Sequence, residues 1–202
     1  MRTPEQNEAL RAATLETVES AAVRAFARHG FAATSMRQIA NEAGLSVGSI
    51  YRHHANKEAL FAALLDRAAA GLGAAAATLR SADDPFAAVS DFTRNFLADL
   101  HRTHGAAEFY MVINQGFLSD TPAGTAERLA SDQRALWRAF AELVHRGQIT
   151  GQFASGNPVQ LTAHYFAMLS GLATMRAVLP RGRDDSSIEL VLRILTNGVL
   201  RD

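Results

Sequence analysis

The chain contains no cysteine. Disulfides, thiolate metal sites and cysteine nucleophiles are therefore excluded. Lysine is almost missing too: Lys57 is the only one, so every other fixed positive charge is an arginine. The 20 basic and 20 acidic side chains cancel to a formal net charge of zero. No overall field draws such a protein to a polyanion, and any nucleic-acid affinity has to come from local charge, because phosphate neutralisation supplies its non-specific part. Strand-like alternations of useful length, internal repeats and low-complexity tails are all missing. So are a Gly-x-Ser-x-Gly elbow, a phosphate-binding Gly loop followed by Lys-Ser/Thr, and a convincing carboxylate pair, which leaves no catalytic signature. No charged-then-apolar leader is visible and no apolar run approaches the ~20 residues of a membrane span. The expectation is a soluble cytoplasmic protein without membrane partner or cofactor.

What the chain does have is an all-α pattern. Leu15, Val18, Ala22, Ala25 and Phe26 form a helical stripe that ends at Gly30, a C-terminal stop. Ser35 is placed to cap a second helix, on which Ile39, Ala40 and Ala43 share a face. Gly44 falls where that helix must end in a left-handed turn, which glycine adopts at little cost. Leu45 then returns to the core and Ser46 can cap a third helix anchored by Ile50. Ala40 is small, as two helices crossing around a short turn require. Ser46, Val47, Ser49, Tyr51, Arg52 and His53 are left to face outwards. Asn56 can cap a long fourth helix beginning Lys57-Glu-Ala-Leu-Phe61. This is the outline of a helix-turn-helix reader of double-stranded DNA, whose recognition helix offers its N-terminal residues to base edges and others to phosphates.

From about Thr14 to Phe61 the chain resembles the TetR/AcrR family of bacterial transcriptional repressors. The resemblance is carried by Ala-Phe26-Ala-Arg-His-Gly30-Phe31, Thr34-Ser-Met-Arg-Gln-Ile-Ala, Ala43-Gly44-Leu-Ser, Gly48-Ser-Ile-Tyr51-Arg-His53 and Lys57-Glu-Ala-Leu-Phe, about a quarter of the chain. It implies a three-helix helix-turn-helix head over residues 1–56 and a larger helical bundle over 57–202 for ligand binding and dimerisation, about nine helices in all. It also implies a homodimer that holds a pseudo-palindromic operator and is released by a small-molecule effector. Ser46, Ser49 and Arg37 are the expected base readers; Thr34, Tyr51, Arg52, His53 and Lys57 are the expected phosphate contacts. One departure stands out. The family usually has Phe after Tyr-x-His, and this chain has His54, whose titration near neutrality can make the head's stability pH-sensitive. Val47 stands where relatives often carry Lys or a polar residue; it is apolar enough to meet a thymine methyl.

Beyond the head only helices are expected: one from Lys57 to about Leu79, one opened by Asp84-Pro85, one from about Ala106 to Leu118, one opened by Thr121-Pro122, one from Asn157-Pro158 to about Val178, and a last from Ser186. Gly147 to Gly156 reads as a loop. Ile188, Leu190, Val191, Leu192, Ile194, Leu195, Val199 and Leu200 leave the final helix almost no polar side. A helix apolar all round is buried on more than one face, and a second copy packed on the last two helices is the expected cover; Gly171 would let that neighbour approach. Pockets are mostly apolar with a few placed polar groups. Phe109, Ile113, Asn114, Phe117, Trp137, Phe140, Phe166 and Met168 are the candidate lining for an apolar or aromatic effector, with Gln115, His104 and His164 as further polar groups. Taken singly, each is more simply a core residue. A DNA-binding protein without effector is an alternative. So is a helical metal sensor or enzyme built on His101-x-x-His104 and Glu108, against which Gly105 interrupts the run and a helix C-terminus already accounts for histidines.

Overall fold

The computed structural model describes residues 3–101, 106–120, 122–178 and 188–196. Among the described residues there are nine helices and no strand: α1 (Pro4–Ala33), α2 (Met36–Ala43), α3 (Val47–Tyr51), α4 (Lys57–Ser81), α5 (Pro85–His101), α6 (Ala106–Ser119), α7 (Thr125–Ile149), α8 (Pro158–Val178) and α9 (Ile188–Leu192). They divide into two compact units, residues 1–67 with 108–126 and residues 68–107 with 127–202.

Local chemistry sets most helix ends. Thr3 and Gln6 form a capping box with Pro4 in the first turn of α1. Gly30 takes φ 78° inside α1, so the regular helix does stop there and only one further turn follows. Ser35 and Gln38 form a second capping box for α2, and Gly44 closes it at φ 67°. Ser46 caps α3, its hydroxyl accepting the Ser49 amide. Asn56 accepts the Ala59 amide at 2.7 Å, Asp84 the Ala87 amide at 3.0 Å, and Asn157 the amides of Val159 and Gln160.

Three expectations need correction. The helix expected from Thr121-Pro122 begins at Thr125; Asp120, at φ 46°, reaches forward to accept the Ala126 amide at 3.0 Å, so its carboxylate rather than the proline opens α7. Thr121 itself lies outside the described residues. The loop expected from Gly147 starts later, because α7 continues to Ile149. Gly147 is there for space: a Cβ would stand 2.1 Å from Cδ2 of Phe153. Finally, α4 is long and apolar enough, by length and composition, to cross a membrane. Its alanines contribute to that character, and of its residues Leu60, Phe61, Leu64, Leu65, Ala76 and Leu79 are buried. Ser186, Val199, Leu200 and the Leu-Pro-Arg-Gly-Arg-Asp-Asp break before the last helix lie outside the described residues.

The first unit is built on Val18, Ala22, Phe26, Ile39, Ala40, Ile50, Leu60, Phe61 and Leu64, all essentially inaccessible. Phe26, Phe31 and Phe61 meet with centroids 5.1–5.6 Å apart. Arg67 joins three helices here: it pairs with Glu19 of α1 at 2.7 Å and lies over the Phe109 ring of α6, 4.7 Å from its centroid.

The second unit centres on aromatic rings. Phe140 stacks on Tyr165 at 4.5 Å, Trp137 stacks on Phe166 at 5.6 Å, and Phe92 touches Phe140, Tyr165 and Phe166. The Tyr165 hydroxyl shares a 2.7 Å hydrogen bond with Thr93, which also donates to the Val89 carbonyl. Burial pushes the Tyr165 phenol above its ordinary range. Val191, Leu192 and Leu195 bury one side of the final segment against α5 and α8, while Leu190 stays exposed.

Candidate functional site

The turn between α2 and α3 places a short helix with its polar residues outward. Ile50 is fully buried, while Ser46, Gly48, Tyr51 and Arg52 are exposed and Val47, Ser49 and His53 half-buried. The outward side chains are linked along the helix. Ser46 and Ser49 hydroxyls are 2.9 Å apart, and Nη2 of Arg52 donates to Oγ of Ser49 at 2.9 Å. Arg37 is exposed on α2.

Behind this surface, ion pairs fix the frame. Glu42 of α2 receives Nε of Arg24 and Nη1 of Arg28 from α1, each at 3.1 Å. The hydrogen bond from Arg24, aided by the Arg28 charge, holds the Glu42 carboxyl below its ordinary range. These pairs neutralise two arginines of the head and leave Arg37 and Arg52 with no carboxylate partner among the described residues. Glu42 and its two arginines were not singled out from sequence. Their spacing, four residues apart on α1, was the available signal.

Two expected phosphate contacts are otherwise engaged. Thr34 is 2% exposed and its hydroxyl donates to the carbonyls of Gly30 and Ala25, at 2.7 and 3.3 Å. It closes the end of α1 and presents no hydroxyl to solvent. Lys57 donates from Nζ to the carbonyls of Phe31 at 2.7 Å and Ala32 at 3.3 Å, and the ammonium lies 4.4 Å from the Phe31 centroid. A cation at a helix C-terminus satisfies carbonyls that have no partner within the helix. The lone lysine therefore ties the start of α4 to the end of α1, with one N–H left to point elsewhere. His54 is 9% exposed, and its Nε2 is buried without a hydrogen-bond partner. Desolvation is the main cause that lowers its pKa from the ordinary 6.5, with the nearby His53 charge adding to it and Glu19 opposing.

The eight expected ligand-lining residues fall into two sets. Phe109, Ile113, Asn114 and Phe117 of α6 belong to the first unit; Trp137, Phe140, Phe166 and Met168 belong to the second. Phe140 and Phe166 are interior rings of the aromatic cluster, so their spacing on α7 and α8 marked core packing. Within the second unit a groove of about 630 Å³ runs between α4 and α5. Its floor includes Ala75, Leu79, Phe92 and Phe96, and Asp91 and Asp99 stand on its rim. None of the eight borders it. Periodicity shows that Phe92 and Phe96 share a face of a helix, but not that a neighbouring alanine-rich helix leaves room beside them. His104 and the side chain of His101 lie outside the described residues, and among the described residues no group of three or more potential ligands is suited to a metal ion.

Residues 20–64, which carry the helix-turn-helix, match the model of the tetR family of bacterial regulatory proteins. An uncharacterized HTH-type transcriptional regulator of Bacillus subtilis, YerO, is 47% identical over 45 residues, a stretch spanning 22% of this chain and 16% of that protein. The fold is shared much more widely than the sequence. The TetR-family regulator PfmR of Thermus thermophilus superposes with a TM-score of 0.67 at 23% identity, covering 91% of this chain and 99% of that one. A tetR-family regulatory protein of Rhodococcus gives 0.64 at 19% identity, covering 91% and 97%. GusR of Salmonella enterica gives 0.61 at 18% identity, covering 90% and 95%.

Proposed function

We propose that this chain, whose head belongs to the tetR family of bacterial regulatory proteins and which has that family's fold along its length, is a DNA-binding transcriptional regulator. It acts as a soluble cytoplasmic repressor that holds a pseudo-palindromic operator as a homodimer and releases it on binding a small molecule. The observation that carries the reading is the Ser-capped helix after Gly44, which buries Ile50 and turns Ser46, Tyr51 and Arg52 to solvent. Arg37, Ser46, Ser49, Tyr51, Arg52 and His53 form its DNA surface, with the remaining N–H of Lys57 at the N-terminus of α4 as an anion contact. Two such heads about one DNA turn apart would read paired half-sites.

For the dimer, the support is the outer side of the last two helices. Ala167, Gly171, Met175 and Val178 of α8 are exposed, uncharged positions on one side of that helix, and Leu190 of α9 is exposed too. For the effector, the support is the α4–α5 groove, whose volume falls in the range of about 300–1,000 Å³ typical of small-molecule sites. Its apolar floor suits an apolar or aromatic ligand. Such a ligand shifts the operator-binding state only by its differential affinity for the two states.

Fluorescence anisotropy of the purified protein on DNA upstream of its own gene, against shuffled DNA across a salt series, tests the reading. Selective binding that survives moderate salt is expected, and the same assay then screens ligands for release. Binding equal on both DNAs and lost with salt counts against it. Gly171→Arg, at a position where an added Cβ meets nothing within 4 Å among the described residues, is expected to give a monomer in sedimentation and to weaken operator binding; an unchanged dimer would place the interface elsewhere.

A further inference from the structure

We propose that Arg52 reads a base, presenting its guanidinium to a guanine edge in the major groove, and is positioned for this by Ser49. The proposal rests on the reading of the head as a DNA reader and assigns Arg52 a role different from the phosphate contact expected from sequence.

The geometry is a chain of polar contacts along one side of α3. Ser46, Ser49 and Arg52 stand three residues apart and so share a face. Nη2 of Arg52 donates to Oγ of Ser49 at 2.9 Å, and Oγ of Ser49 lies 2.9 Å from Oγ of Ser46. The backbone N–H of Ser49 donates to that same Ser46 oxygen at 3.1 Å. A side chain reaching out to the phosphate backbone would extend away from the helix. This one folds back toward the helix N-terminus, the end that a recognition helix offers to base edges.

Counting donors points the same way. A serine hydroxyl has one hydrogen to give. Whichever serine donates in the Ser46–Ser49 contact, the pair has a single hydroxyl hydrogen left for DNA. Arg52 has five N–H donors in a rigid fork and spends one on Ser49. Most of the donor capacity on this face therefore belongs to Arg52. Guanine presents two acceptors, O6 and N7, on its major-groove edge, and a planar guanidinium meets both at once. The charge is available for that contact. Arg24 and Arg28 are spent on Glu42 and Arg67 on Glu19, while Arg52 is exposed and has no carboxylate partner among the described residues. The Ser49 contact also holds the long side chain before DNA arrives, which reduces the ordering cost of binding.

Selection from randomised duplex DNA by the full-length protein, its Arg52→Gln and Arg52→Lys variants and Ser49→Ala tests this. Wild type is expected to enrich a site with guanine at one fixed position in each half. Arg52→Gln is expected to lose the guanine preference at that position or exchange it for adenine, Arg52→Lys to keep only a weakened guanine preference there, and both to bind the wild-type site about ten- to a hundredfold more weakly. They should bind sites changed only at that position almost as the wild type does. Ser49→Ala should lose part of the preference at the same position, which a serine reading its own base would not produce. Arg52 is exposed, so its variants keep the fold, checked by an unchanged melting curve. If the Arg52 variants instead weaken every sequence equally and lower the salt slope by about one, Arg52 is a phosphate contact and the proposal is overturned. If wild type enriches no site at all, the reading of the head as a sequence reader fails, and Arg52 with it.

Discussion

Replacing His54 by Phe should stabilise the head and remove its sensitivity to mild acid. His54 is 9% exposed with Nε2 buried and unpartnered. A buried polar atom without a partner costs about 1–3 kcal/mol, and an apolar ring of similar size removes that cost without emptying the site. The expected gain is therefore about 1–3 kcal/mol at neutral pH. The pH dependence follows from the lowered pKa. As pH falls through the ordinary value of 6.5 the unfolded chain takes up the proton first. Between that value and the lower folded-state pKa the unfolded state binds more protons, so stability is full above 6.5 and is lost on acidification. One such proton changes stability by at most about 1.4 kcal/mol per pH unit. Glu42, whose carboxyl Arg24 holds below 4.5, loses stability only in stronger acid, so the two windows separate. The assay is amide hydrogen exchange in the head at pH 7.5 and 5.5, read at the residue 53 and 54 amides that donate to the Ile50 carbonyl. Tryptophan fluorescence is unsuitable, since the single tryptophan, Trp137, sits in the other unit. A His54→Phe variant no more stable than wild type at pH 7.5, with the same acid loss between pH 6.5 and 5.5, would refute the reasoning.

Three further outcomes follow from contacts described above. Lys57→Met should cost the head about 1–3 kcal/mol in denaturant titration, because the Phe31 and Ala32 carbonyls lose a charged donor; a loss confined to DNA affinity would return Lys57 to a purely phosphate role. Thr93→Val strands the buried Tyr165 hydroxyl and should lower the stability of the second unit by about 1–3 kcal/mol, read from Trp137 fluorescence during unfolding, whereas Tyr165→Phe, which leaves Thr93 bonded to Val89, should cost less. Gly147→Ala drives a methyl into Phe153 and should destabilise the same unit by about 1–3 kcal/mol; an unchanged melting temperature would mean that Phe153 has room to move.

What could be read from the sequence was what is decided locally. Ser35 with Gln38, Gly44 and Ser46 are caps and turns whose partners lie within four residues, so α2 and α3 appear where the residues put them. The start of α7 escaped because Asp120 acts six residues ahead, past a proline that looked like the natural opening. Gly147 looked like a stop because only the folded chain brings Phe153 against it. The site divides in the same way. Which side chains of α3 face outward follows from Ile50 facing in, but the engagement of Lys57 with Phe31 is tertiary, and that of Thr34 with Gly30, only four residues back, depends on how α1 ends. The α4–α5 groove is further still from sequence, since it depends on what two helices fail to fill.

The unit that contains the helix-turn-helix is not a continuous stretch of chain. Residues 1–67 are completed by residues 108–126, with Arg67 holding both Glu19 and Phe109. During synthesis the first 67 residues must wait for a stretch made well after them. At about 5–20 residues per second, that delay is roughly 2–8 s before Phe109 is made, during which its partner Arg67 on α4 is uncovered, and roughly 3–12 s before the stretch is complete. A fragment cut after residue 67 would keep every side chain proposed to face DNA and still lack part of its own interior.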